Sequence, residues 1–144
     1  LRSIFTNTAV NYSKKAQKIG IETALYMTHA YLDNDPRYEP NLIEKIKLAY
    51  YDAGKKSNSK VAPVGIAYEM AYKERPKIML HHPDGTHPGL LGTYLGSCVV
   101  FSMITNSSPE GLKYNYLDQI SDDDLLFLQE IAWKAYLEHK KQYN

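Results

Sequence analysis

Short apolar strands that alternate with helices predict an α/β fold with a parallel sheet for this 144-residue sequence. Three observations carry the expectation. Ile21 to Met27 and Val61 to Val64 are apolar runs bounded by glycine, proline or polar loops. The stretches between and after them repeat apolar residues every three to four positions, and the last such stretch has start and stop signals at its ends. The length fits one domain over residues 1–144, and 44% hydrophobic with 23% charged residues suits a chain that buries a core.

Taken in order, Phe5, Ala9, Tyr12 and Ala16 form one stripe of a helix over residues 4–18, closed by Lys14, Lys15, Lys18 and Gly20. Ile21 to Met27 reads as a strand, and Thr28 to Tyr31 sit at its carboxyl end, the end that faces the ligand crevice in open α/β sheets. After the polar loop Leu32 to Pro40, a second helix over 41–56 places Leu42, Ile46, Ala49 and Ala53 on one stripe, with Gly54 and Lys55-Lys56 as its stop. Val61 to Val64 is the second strand, Ile66 to Lys73 a short helix, and Ile78 to Leu80 a short apolar segment beyond Pro76. Leu90 to Thr105 is apolar on nearly every face and reads as a buried helix in which Gly92 and Gly96 allow another element close. Ser121 caps the last helix, with Asp122, Asp123 and Asp124 in its first turn and Lys140 and Lys141 near its end.

The net charge of +1 comes from 17 basic and 16 acidic residues in no long block, so nothing favours nucleic acid as a partner. One cysteine, Cys98, excludes an internal disulfide and a cysteine-built zinc site. The longest apolar run, Leu95 to Ile104, falls short of the ~20 residues that a membrane-spanning helix takes. No cofactor motif is present. The first residue is Leu1 and no basic-then-apolar leader pattern follows it, which suggests processing or truncation upstream.

The chemistry concentrates in Pro83-Asp84-Gly85-Thr86-His87-Pro88. An aspartate three residues before a histidine in a turn can accept the imidazole Nδ1 proton and leave Nε2 free to take a proton from a hydroxyl nucleophile. Inside the chain, Ser97 and Cys98 are poor nucleophiles because they lie within the apolar run, where burial raises a thiol pKa. His81, His82, Asp84 and His87 form the only metal-like cluster, yet adjacent histidines point apart in an extended chain, so no metal site is expected. Of the 13 tyrosines, Tyr31, Tyr68 and Tyr94 lie near enough to the proposed crevice to serve as substrate-wall residues.

Four segments taken together, Leu25-Tyr26-Met27-Thr28-His29-Ala30, Val61 to Ala67, Asp84 to Pro88 and Gly92-Thr93-Tyr94-Leu95, resemble in order and spacing the carboxyl-terminal half of SGNH hydrolases, the GDSL esterase and lipase superfamily. The resemblance covers roughly residues 17 to 136. It implies a flavodoxin-like three-layer α/β/α fold, with His87 as general base and Asp84 as the carboxylate that orients it. It also slightly favours a secreted or periplasmic protein. His29 stands where relatives often carry tryptophan, and no Gly-Asp-Ser nucleophile block or oxyanion block can be read in the chain.

The expectation is therefore the Asp-x-x-His half of a serine-type esterase acting on an acyl or acetyl ester of a carbohydrate or other small molecule. A flavodoxin-like sheet has about five strands, whereas two, with Ile78 to Leu80 as a short third, can be counted here. A second polypeptide or a missing upstream segment is expected to complete the sheet and supply the serine. The alternative is a non-catalytic interaction module that keeps the fold without a working site.

Overall fold

The computed structural model describes residues 2–143. Its elements follow in the order α1 (Arg2–Gln17), β1 (Ala24–Tyr26), α2 (Leu42–Ser57), β2 (Lys60–Ala62), α3 (Val64–Glu74), α4 (Leu90–Thr105) and α5 (Asp122–Tyr143). The two strands run parallel, with Ala24 opposite Lys60, Leu25 opposite Val61 and Tyr26 opposite Ala62. The fold is thus α/β in class, mostly helical, around a small parallel sheet. Among the described residues β1 pairs with β2 alone, so its other edge has no ladder partner, and Tyr26 on that strand is 48% exposed.

Both strands are shorter than their apolar runs, for a reason visible at β2. Pro63 follows Ala62, has no N–H to extend the ladder, and instead its carbonyl accepts the Ala67 amide at 3.1 Å to open α3 at Val64. That start lies two residues before the expected one. The helix α2 runs through Gly54, and Asn58 at φ 51° ends it. Gly54 answers a packing need. A methyl group there would lie 2.7 Å from Val61 Cγ2, so the missing side chain lets β2 approach the helix.

The face by which α1 packs on α2 also differs from the expected stripe. Thr6 and Ser13, seven residues apart and therefore on one side of the helix, are buried, while Tyr12 is 69% exposed. Polar partners explain the choice: Thr6 Oγ1 donates to Asp52 Oδ2 at 3.4 Å, and Ser59 Oγ donates to Ser13 Oγ at 3.0 Å.

The main core lies where α3, α4 and α5 meet, with Ala67, Tyr68, Leu95, Val99, Leu128 and Ile131 at its centre. The buried reading of α4 is correct. A methyl built on Gly92 would overlap the Tyr68 hydroxyl and the Leu80 carbonyl oxygen, and one on Gly96 would overlap the Tyr26 hydroxyl. At α5, Ser121 Oγ accepts the Asp124 amide at 3.2 Å and donates to the Asp124 carboxylate at 3.0 Å, so the cap stands as expected.

Ile78 to Leu80 is not a third strand. Its backbone partners are local: Ile78 donates to the Arg75 carbonyl at 3.0 Å and Gly89 to the Leu80 carbonyl at 2.7 Å, and the chain continues into a hairpin-like loop where His82 donates to the His87 carbonyl at 2.8 Å and His81 forms an isolated antiparallel bridge with Pro88. With those groups committed locally, Leu80 enters the core as irregular chain, fully buried.

Candidate functional site

The loop from His81 to Pro88 is held against the chain that leaves β1. His81 Nε2 meets the Ala30 carbonyl at 2.9 Å, Leu32 donates its amide to the Gly85 carbonyl at 3.0 Å, and Asn34 Nδ2 donates to the Pro83 carbonyl at 2.9 Å. The chain beyond β2 joins the same end, since Gly65 donates to the Met27 carbonyl at 3.1 Å. The loop therefore sits at the carboxyl end of both parallel strands, the ligand-facing end in α/β sheets.

Within the loop, Asp84 forms an Asx turn. Its Oδ1 accepts the amides of Thr86 at 2.9 Å and His87 at 3.0 Å, and Gly85 takes φ +72°, a conformation glycine adopts without strain. That turn brings Asp84 Oδ2 to 2.7 Å from His87 Nδ1. The His87 amide, then its imidazole and then the Thr86 amide hold the Asp84 carboxyl well below the usual carboxylate range. An ionised carboxylate can only accept, so in the neutral ring Nδ1 carries the proton and Nε2 keeps the lone pair. His87 is 74% exposed at its side chain, and the large groove, about 1210 Å³, lies elsewhere, along Gln17, Thr23, Lys60 and Tyr143.

The other two loop histidines do different things. His82 is exposed, with Nδ1 at 3.3 Å from the same Asp84 oxygen. His81 is buried, and both ring nitrogens are committed: Nε2 faces the Ala30 carbonyl and Nδ1 lies 2.6 Å from the Tyr72 hydroxyl. Because a carbonyl only accepts, Nε2 carries the proton and Tyr72 donates to Nδ1 in the neutral ring. Burial pulls the His81 pKa down, which favours that neutral form. His29 packs on His81 at 4.5 Å between ring centroids and on Tyr68 at 4.5 Å. Burial first, and then His81, lower its pKa from 6.5 to about 4.

Of the three expected wall tyrosines, two are core residues, which is a correction. Tyr68 is 1% exposed inside the α3–α4–α5 core. Tyr94 is 9% exposed, its hydroxyl accepts from Gln129 Nε2 at 2.8 Å, and burial pushes its pKa up to about 12. Both face inward because they sit on the helix sides that meet in the core. Tyr31 remains near the loop, half-buried, with the Arg37 guanidinium 4.2 Å above its ring. Ser97 spends its hydroxyl on the Thr93 carbonyl at 2.9 Å, and burial pushes the Cys98 thiol up to about 11. Among the described residues, no group of three or more His, Cys, Asp or Glu is placed to hold a metal ion.

Residues that sequence reasoning passed over complete the surroundings: Asn34, Asp35, Arg37 and Thr86, with Tyr72 behind His81. An aspartate followed by proline in Asp35-Pro36-Arg37 signals an Asx turn, and Asp35 Oδ1 does accept the Arg37 amide at 2.7 Å. Nothing local signals Thr86 as its second partner.

The protein class so defined is an α/β domain with an Asp–His pair at the carboxyl end of a parallel sheet. No family model matches the sequence, and no curated protein does. The structure is similar to the crystal structure of a DUF4886 family protein from Bacteroides uniformis, with a TM-score of 0.82 at 17% sequence identity. The match covers 95% of this chain and 57% of that one, so this chain spans little over half the length of its neighbour. At this identity the likeness bears on the fold alone.

Proposed function

We propose that this chain carries the general-base half of a serine-type ester hydrolase of the SGNH kind, built on a flavodoxin-like three-layer sheet that further strands complete. One observation supports the reading above the rest: Asp84 Oδ2 lies 2.7 Å from His87 Nδ1 while the ring stands exposed, with Nε2 free to accept a proton. In this reading Asp84 orients His87, His87 Nε2 deprotonates a serine hydroxyl, and the same nitrogen then protonates the leaving alcohol. The serine and the oxyanion donors come from an upstream segment or another chain, which pairs with the free edge of β1. The substrate is an acyl or acetyl ester of a carbohydrate or other small molecule, with Tyr31 at its wall.

The high exposure of His87 favours a second reading, an interaction module with the pair unused. Hydrolysis of a short-chain aryl ester by the full-length protein separates the two. The hydrolase reading requires turnover, labelling of a serine by a fluorophosphonate, and loss of both in His87→Gln. A full-length protein that neither turns over such esters nor takes the label leaves the module.

A further inference from the structure

The chain that leaves β1 touches the Asp84–His87 turn at a buried carboxylate. Asp35 has only 2% of its side chain exposed, yet it is charged: hydrogen bonds from Arg37, and next from Thr86, hold it well below the usual carboxylate range. Its Oδ1 accepts from the Arg37 amide at 2.7 Å and from Arg37 Nε at 3.0 Å, while Oδ2 accepts from Arg37 Nη2 at 2.8 Å and from the Thr86 hydroxyl. Thr86 Oγ1 in turn accepts from Arg37 Nη2 at 3.2 Å. The Thr86 hydroxyl is thus oriented by both its donor and its acceptor bonds.

Thr86 lies between Gly85, whose carbonyl is held by Leu32, and His87, whose amide is held by Asp84. Fixing its side chain fixes the turn that sets the Asp84 carboxylate under His87 Nδ1. We infer that Asp35 is a positioning residue, acting through Thr86 to keep the Asp84–His87 turn closed and the His87 proton on Nδ1. The inference rests on reading His87 as a general base, since only then does its tautomer matter. Arg37 holds Asp35 in place and keeps its charge compensated where water does not reach. Without this second strap, the hydrogen bonds that tie the 81–88 loop to the β1 side would be those of His81, Leu32 and Asn34, which end on residues 81, 85 and 83 and not on 86 or 87.

The test is the ratio of Nδ1-protonated to Nε2-protonated neutral His87, read from imidazole nitrogen shifts of the full-length protein with labelled histidine and assigned through His87→Gln. In Thr86→Val, which keeps the shape and removes the hydroxyl, the ratio should fall about three- to tenfold, the scale of one net hydrogen bond. Asp35→Asn should shift it the same way, and Thr86→Ser should hold the parent ratio. Thr86 is half-buried on an exposed loop, so its variants stay folded even if Asp35→Asn does not. A parent-like ratio in Thr86→Val overturns the inference. Absence of ester turnover in a protein whose ratio does respond overturns the hydrolase reading and leaves the positioning role of Asp35 intact.

Discussion

His81 and His87 stand six residues apart in one loop and illustrate opposite uses of the same side chain. His81 is 5% exposed and spends both ring nitrogens, one on the Ala30 carbonyl and one on the Tyr72 hydroxyl. His87 is mostly exposed and spends one, Nδ1, on Asp84. A ring with two fixed partners has no nitrogen left for proton transfer, so its contribution is to anchor the loop. A ring held only at Nδ1 is oriented and still has Nε2 available. Burial and partner count, not residue type, separate the anchor from the ring that keeps a nitrogen available.

The largest effects should break the comparison cleanly. On the proposed hydrolase reading, His87→Gln in the full-length protein is expected to lower kcat for an aryl ester by about 10²- to 10⁴-fold, the range for a lost general base, while leaving the unfolding midpoint unchanged. His81→Phe should do the reverse. It leaves the Ala30 carbonyl and the Tyr72 hydroxyl without partners, which should cost about 2–4 kcal/mol in denaturant melts. A His81 variant as stable as the parent would show that the ring is no anchor.

Gly92→Ala attacks the anchor from behind. The added methyl overlaps the Tyr68 hydroxyl and the Leu80 carbonyl, a backbone atom at the root of the loop, and should cost about 1–3 kcal/mol. The same melts check it.

How much of this was legible in the sequence depends on the distance between partners along the chain. The Asp84–His87 contact is three residues long and follows from turn chemistry, and the cap of α5 joins Ser121 to Asp124, so both could be read directly. Leu90–Thr105 was legible because its apolar character is continuous. The Asp35–Thr86 bond spans 51 residues and the packing of Gly54 on Val61 depends on the approach of β2 to α2, neither of which leaves a periodic trace. The third strand was misread because three apolar residues look alike in a strand and in buried irregular chain. Tyr68 and Tyr94 were misplaced because nearness to the loop does not decide exposure: the Tyr68 ring packs on His81 at 5.3 Å between centroids and is nevertheless closed off inside the core, as Tyr94 is.

A smaller effect tests the anchor side by pH. The unpartnered Nδ1 of His29 is buried between Tyr68 and His81, and the group's pKa falls from 6.5 to about 4. A folded pKa below the unfolded one means that the unfolded chain binds the extra proton first as pH drops. The contribution is therefore full above about pH 6.5 and is lost as pH falls towards 4, amounting to about 3 kcal/mol at most. His29→Gln should flatten the stability profile across that window. An unchanged slope between pH 6.5 and 4 would show that His29 titrates normally.

The smallest effect sharpens the comparison on the exposed side, where two histidines share one carboxylate oxygen. His82 Nδ1 lies 3.3 Å from Asp84 Oδ2 and His87 Nδ1 lies 2.7 Å from it. Only His87 is also tied to Asp84 through its backbone, because its amide donates to the other oxygen of Asp84 and so places its ring within the turn. The His82 ring is 62% exposed, and so exposed a polar contact is weakened by competing water. His82→Ala should therefore change kcat by less than about threefold and leave the His87 tautomer as it is. A loss as deep as that of His87→Gln would mean that the base had been assigned to the wrong histidine, with the shorter contact to Asp84 serving only to close the turn.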